Sequence, residues 1–231
     1  MPAPPNLPAA LFRHAASHPG EPWLFQAEGW DWRWHTWGEV AREVMARAEG
    51  LEGIAAGSRY AFAYTARPED IILDLAVQAA GGGAVVLRNG QPVELSAADL
   101  IAMAKRIQER IGPTGRRDIV VLSGSFEISE ERAMLSWATL TGAAVVLEPN
   151  PALRVATAAW VRPTVFHGTV AELAALRKLV EKEREGWFRR RSRLPFRRLR
   201  SVLVTGSEGL PPEEEAFWME RGVGKADRFD R

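Results

Sequence analysis

The chain contains no cysteine. A disulfide, a thiolate-bound zinc and a cysteine nucleophile are therefore excluded, and any chemistry must come from other groups. Long apolar runs are missing too, since no stretch of the sequence approaches the roughly 20 residues needed to span a bilayer. The opening MPAPPNLPAALFRHAA has no basic region followed by an apolar one and does not read as a secretory signal. A cytoplasmic protein is expected. Excess charge of either sign is also lacking. With 30 basic and 29 acidic residues the formal charge is +1, so the whole chain has no reason to seek a polyanion such as nucleic acid, and any basic function must be local. Histidine is scarce, with four in the chain, His14, His18, His35 and His167. His14 and His18 have the i, i+4 spacing of a helical metal pair, but no carboxylate pattern completes a site and Pro19 follows at once. No metal is expected.

What is present suits a globular core: 231 residues, 46% hydrophobic and 26% charged. LPAALFRHAASHP reads as a helix ended by Pro19. PWLFQAEGWDWRWHTW reads as two strands of a hairpin turning at Glu28 and Gly29. Alternation puts Trp30, Trp32 and Trp34 on one face of the second strand, with Asp31, Arg33 and His35 on the other. Such a row of indoles can be a stacking platform or ordinary core packing, and packing is the expected role. Thr36 then stands as an N-cap, with Glu39 completing a capping box before WGEVAREVMARAEGL. GSRYAFAYT, PEDIILDLAVQAAG and GAVVL follow as strand, helix and strand, a βαβ unit whose strands should be parallel and buried. Beyond them come the helix LSAADLIAMAKRIQERIG, the strand DIVVLSG, the helix SEERAMLSWATLTG and the strand AAVVLEP. The chain continues with a short helix around Pro151, the strand PTVFHG, the helix TVAELAALRKLVEKERE, the strand RSVLVTG and a Pro-started helix PPEEEAFWMERG.

Repeated βα units predict an α/β protein of parallel sheets flanked by helices. RNGQP at 88–92 divides it into two expected regions. Residues 1–90 form an N-terminal α/β lobe with the Trp-rich hairpin, and residues 93–231 form a second α/β lobe.

The order of these elements, with several local phrases, resembles the adenylate-forming acyl-CoA synthetase superfamily. HTWGEVAREVMARAEGL is similar to an early helix of that family, and GSRYAFAYTARPEDIILDLAVQAAGGGAVVL to its "GD-x-VA…N-x-P-E…AG-x-x-x-VPL" segment. LSWATLTGAAVVLEPN, RPTVFHGTVAELAALRKLV and LRSVLVTGSEGLPPEEEAFWMERG are similar to later segments of its long-chain members. The resemblance implies a shortened version of the family's N-terminal domain, with the second lobe corresponding to the acyl- and adenine-binding half. It places the tryptophan strand far from the bound acyl chain and nucleotide.

The family's phosphate loop, of the form "TSGTTG-x-PKG", has no counterpart in RNGQPV, which lacks the hydroxyls and the lysine such a loop uses. VTGSEGLPPE at 204–213 is a poor substitute, because Glu213, Glu214 and Glu215 would repel a triphosphate. The family's aromatic–His pair falls on SFEIS, where Phe126 keeps the aromatic and Glu127 stands near the histidine position. The "YG-x-TE" motif and the C-terminal lysine domain are not matched. The resemblance therefore implies a truncated relative, non-catalytic by itself and acting as a binding or regulatory protein. An alternative is an acyl-activating ligase completed by another chain. No cofactor is expected. ATP, AMP or coenzyme A would enter only with residual family activity.

The ligand-binding candidates are Thr205, Gly206, Ser207, Glu208 and Gly209, whose glycines can expose backbone amides after a strand, together with Phe126 and His167. His167 ends a buried strand, where parallel sheets place their ligands. Ser123 and Ser125 also fall at a strand end, but without the elbow motif of a hydrolase. No catalytic residue is assigned. A different signal lies in REREGWFRRRSRLPFRRLR, where Arg189, Arg190, Arg191, Arg193, Arg197 and Arg198 interleave with Trp187, Phe188 and Phe196. This pattern over 184–200 suits an acidic protein face, an anionic membrane surface, which would make the protein peripheral at the membrane, or a nucleic-acid backbone, which the near-neutral total charge disfavours. A homo-oligomer is compatible with the sequence. Arginines near an anionic bilayer attract at about 1 kcal/mol each, and inserted aromatics add a part that salt does not screen. Sedimentation with anionic vesicles is expected to retain the wild type and to lose a variant with Arg189, Arg190 and Arg191 changed to Ser. Equal behaviour of the two would leave a solvated loop.

Overall fold

The computed structural model describes residues 6–28, 31–51, 57–88, 91–184, 196, 198–204, 209–221 and 223. Its elements run α1 (Leu7–Ser17), β1 (Pro22–Glu28), β2 (Asp31–Thr36), α2 (Trp37–Gly50), β3 (Arg59–Phe62), α3 (Pro68–Ala79), β4 (Gly83–Arg88), β5 (Gln91–Glu94), α4 (Ala97–Ile111), β6 (Ile119–Leu122), α5 (Ser129–Thr141), β7 (Ala144–Leu147), α6 (Pro151–Val161), β8 (Val165–Gly168), α7 (Val170–Arg184), β9 (Ser201–Val204) and α8 (Pro212–Met219). Local chemistry sets several of these boundaries. The Asn6 side chain accepts from the Ala9 N–H to start α1, and both α2 and α4 begin with capping boxes, Thr36 with Glu39 and Ser96 with Asp99. Gly142, in the left-handed region, ends α5. Among the described residues no helix is long and apolar enough to cross a membrane.

The strands form two sheets. Six follow the order β2-β1-β7-β6-β8-β9, and three follow β3-β4-β5. All neighbours in the larger sheet are parallel except β1 and β2, which form the expected hairpin. In the smaller sheet β3 and β4 are parallel, and β5 runs antiparallel to β4, with Arg88 paired to Gln91. The α/β class with helix-flanked parallel strands is thus observed.

Alternate residues of the central strands feed two cores. Val120, Leu122, Val145 and Leu147 point to the side covered by α1, α2, α3, α4 and α5. Val121, Val146, Phe166, Val202 and Val204 point to the side covered by α6, α7 and α8. Strands covered on both faces must be apolar throughout, which is why AVVL and IVVL show no alternation.

Two expectations change. β3 is not buried: Arg59, Tyr60 and Ala61 are exposed, because β3 is the edge of a sheet with only three strands. The tryptophan strand is not core either. β2 is the edge of the larger sheet, and Trp34 is 56% exposed, while half-buried Trp32 stacks on Trp160 of α6 with centroids 5.1 Å apart. Alternation correctly groups these rings on one face, but that face is covered only by α6 at its margin. Trp30 lies outside the described residues. The packing role belongs instead to Trp37, the first residue of α2, which stacks on Trp23 of β1 at 4.3 Å and is flanked by His14 at 4.7 Å. Trp37→Ala is expected to cost about 3–5 kcal/mol, whereas Trp34→Ala should stay within about 0.5 kcal/mol, as for an exposed site. Urea denaturation of the two variants measures the contrast.

Candidate functional site

In an open parallel sheet the carboxyl ends of the strands release unpaired backbone amides toward the connecting loops, and ligands gather there. In this chain those amides meet internal carboxylates. After β6, the N–H groups of Ser123 and Gly124 donate to the Glu131 carboxylate at 3.1 and 3.3 Å. After β7, the Asn150 N–H donates to Glu148 at 3.0 Å. After β8, the Thr169 N–H donates to Glu172 at 2.8 Å. Glycine is required at 124, where φ is +77° and a Cβ would lie 2.5 Å from the Cβ of Ala66.

The three carboxylates are buried, with His167 bonded to Glu131 and Arg154 bonded to Glu172 and to the backbone of Glu148. His167, fully buried at the end of β8, places Nδ1 2.9 Å from Glu131 Oε1. Arg154 of α6 donates through Nη1 to Glu172 at 2.7 Å and through Nε to the Glu148 carbonyl at 3.0 Å. Thr157, one turn further along α6, donates to Glu148 at 3.1 Å. Burial by itself would push the Glu131 carboxyl up. Hydrogen bonding and charge from His167, the Ser123 amide and the positive charge of Arg154 outweigh it, so Glu131 is held below the usual glutamate range. Among the described residues no group of three His, Asp or Glu side chains is placed to hold a metal ion.

A second buried network lies one residue along α5. Arg132 Nη2 donates to Asp74 Oδ2 at 3.0 Å, and both side chains are buried. Gln78 Nε2 donates to Asp74 Oδ1 at 2.9 Å, and the Tyr64 hydroxyl donates to Oδ2. Burial and the neighbouring Asp74 carboxylate push the Tyr64 hydroxyl well up, which keeps its proton available for that bond. Burial works against the Arg132 charge, but Asp74 outweighs it and holds the guanidinium above its usual range.

The candidates read from the sequence fall in different places. His167 is at the strand-end network. Phe126 is fully buried in the first core, edge-on to Tyr64 at 5.1 Å. Thr205, Gly206, Ser207 and Glu208 lie outside the described residues, and Gly209 is half-buried beyond them. Of the arginine segment, Arg189, Arg190, Arg191, Arg193 and Arg197 lie outside the described residues, as do Trp187 and Phe188. Arg198 is exposed and donates to the Arg117 carbonyl at 2.9 Å. Arg200 is tied to Asp118 at 2.9 Å. Phe196 and Leu199 belong to the second core, which removes Phe196 from any membrane-inserting role. Glu131, Arg132, Glu148, Arg154, Glu172 and Asp74 were not singled out in the sequence. The available signal was a charged residue on the apolar face of a helix, as in the EER of SEERAMLSWATL.

No protein-family model matches the sequence, and no curated protein matches it. Solved structures do. The inhibitor-bound N-terminal domain of FACL13 from Mycobacterium tuberculosis superposes with a TM-score of 0.74 at 12% identity, over 94% of this chain and 73% of that one. The fold is that of an adenylate-forming ligase N-terminal domain. A fatty acid AMP ligase from Legionella pneumophila gives 0.70 at 12% identity, over 94% of this chain and 53% of that one. The nonribosomal peptide synthetase FmoA3 gives 0.76 at 15% identity, over 96% and 31%. This chain therefore spans between about a third and three quarters of the ligase-fold proteins it matches, and at such identities the likeness is one of fold.

Within this ligase fold, Glu131 carries a folded-state pKa below its unfolded value. Its stabilising contribution is therefore present at neutral pH and is lost as pH falls below the ordinary glutamate range. Glu131→Gln, which leaves His167 and two amides without their carboxylate, is expected to cost about 3 kcal/mol at neutral pH. The variant should also show a shallower decline of stability with acid than the wild type. Urea melts across a pH series test both.

Proposed function

We propose that this chain is a non-catalytic binding or regulatory protein built on the adenylate-forming ligase fold, one that does not form acyl-adenylates by itself. The observation that carries the reading is the occupation of the strand-end amides. In a ligand-ready edge those donors would face an incoming phosphate or carboxylate. Glu131, Glu148 and Glu172 take them, and their negative charge disfavours a nucleotide at the same place. The sequence supports the same reading, since RNGQPV supplies neither the hydroxyls nor the lysine of a phosphate loop.

The likeness to the isolated FACL13 N-terminal domain, covering 73% of that domain, favours a second reading, in which the chain is one part of an acyl-activating ligase completed by another polypeptide. The arginine segment at 184–200 is proposed to contact an anionic protein face or membrane surface. Trp187 and Phe188 would supply the apolar part of that contact.

Incubated with ATP, magnesium and a panel of fatty acids, the 231-residue chain is expected to release no pyrophosphate above background. Acid-dependent release by the chain alone would overturn the non-catalytic reading. Release only when a second polypeptide bearing a phosphate loop is supplied would establish the split ligase.

A further inference from the structure

The larger sheet ends at β2, and among the described residues no strand pairs the outer side of β2. Glu28 and Asp31 are register partners separated by two residues, so they close the hairpin as a doubly hydrogen-bonded pair. Arg33 with Gln26 and His35 with Leu24 follow in the same phase. Trp32, Trp34 and Thr36 are out of step with them and turn their backbone N–H and C=O groups away from β1. Thr36 bears out this phase, since its N–H donates to the Glu39 carboxylate at 2.8 Å. The backbone groups of Trp32 and Trp34 therefore form an edge open to a further strand. β2 has neither the proline nor the lysine that commonly blunts such an edge, and the register irregularity falls at the far end of the hairpin, between Pro22 and Leu24.

The side chains select what pairs there. Trp32, stacked on Trp160, and Trp34 lie on one face of the edge, and Trp160 is itself 67% exposed, so an apolar strip runs beside the open backbone groups. Asp31 and Arg33, both exposed, lie on the other face. When two copies of β2 pair antiparallel about a two-fold axis, residues directly opposite must share the same backbone phase, so some residue faces its own copy on the axis. With Arg33 on the axis, like charges meet, which is unfavourable. With Trp34 there, Arg33 faces His35 and finds no carboxylate. With Trp32 there, Asp31 of each copy faces Arg33 of the other, and the indoles meet on the opposite face. Arg33 has an interaction within its own chain, and its five donors leave room for a second partner.

We propose that the chain forms a symmetric dimer through the β2 edge, with Trp32 on the two-fold axis and two Asp31–Arg33 pairs across it, joining the larger sheets of both copies into one. The contact is short beside the roughly 1,200–2,000 Å² of stable interfaces, so the dimer dissociates on dilution. This inference does not rest on the chain being non-catalytic.

Sedimentation velocity of the 231-residue chain over a concentration series, with a thermal melt of each variant, tests it. The wild type is expected to pass from monomer to dimer as concentration rises. Asp31→Arg and Arg33→Asp each set like charges at both facing positions and should weaken self-association by about tenfold or more. Mixed together, these two variants are complementary and should recover a dimer. The double variant, with both substitutions in one chain, should self-associate as the wild type does. A wild type that stays monomeric up to its solubility limit would overturn the proposal. So would single variants that associate as strongly as the wild type, the mark of unspecific contact through Trp34 and Trp160, or a folded double variant that stays monomeric.

Discussion

Two consecutive residues in the first turn of α5 carry opposite charges and are both buried. Everything else in the molecule must accommodate them. A lone charge in a low-dielectric interior is far too costly to persist, so each needs a partner delivered from another element. Glu131 obtains His167 from β8 and two amides from the end of β6. Arg132 obtains Asp74 from α3. The first partnership fixes α5 against the six-stranded sheet, and the second fixes it against the helix that packs on the three-stranded sheet. A single helical turn thereby sets the relation between the two sheets, with a directionality that apolar packing does not supply.

The same arrangement gives internal acceptors to the backbone donors at the ends of three parallel strands. Parallel strands end in donors whatever the protein does, and those donors need partners. Here α5 and α7 return Glu131 and Glu172 to the edge, Glu148 follows β7 directly, and Arg154 of α6 spans Glu148 and Glu172.

Much of the fold was legible because its signals are local. Thr36 with Glu39 announces a helix start within four residues, and an apolar run such as IVVL declares a strand covered on both faces. The failures have a common origin in what lies next door. Whether Trp34 is buried depends on which strand lies beyond β2, and the exposure of Tyr60 depends on β3 being an edge. Alternation says which residues share a face and nothing about what covers that face. The site was legible only at His167, whose position at the end of a buried strand is itself a local pattern. Its partner Glu131 lies in a helix, and Asp74 is remote in sequence from Arg132, so neither pairing has a spacing to read.

The placement of β1 has a consequence for how the chain assembles as it is made. Leu24 pairs with Val145, a strand synthesised roughly 120 residues later. At translation speeds of about 5–20 residues per second, the N-terminal hairpin emerges on the order of ten seconds before the strand that will hold it. During that interval the inner edge of β1 and the indole of Trp23 have no permanent cover, and a two-stranded ribbon is marginal in water. Helices α1 and α2, which flank the hairpin in the sequence and bury Trp23 and Trp37 together, are available immediately. They can shelter the ribbon until β6 and β7 arrive, which makes the N-terminal aromatic cluster a holding structure during synthesis as well as a part of the finished core.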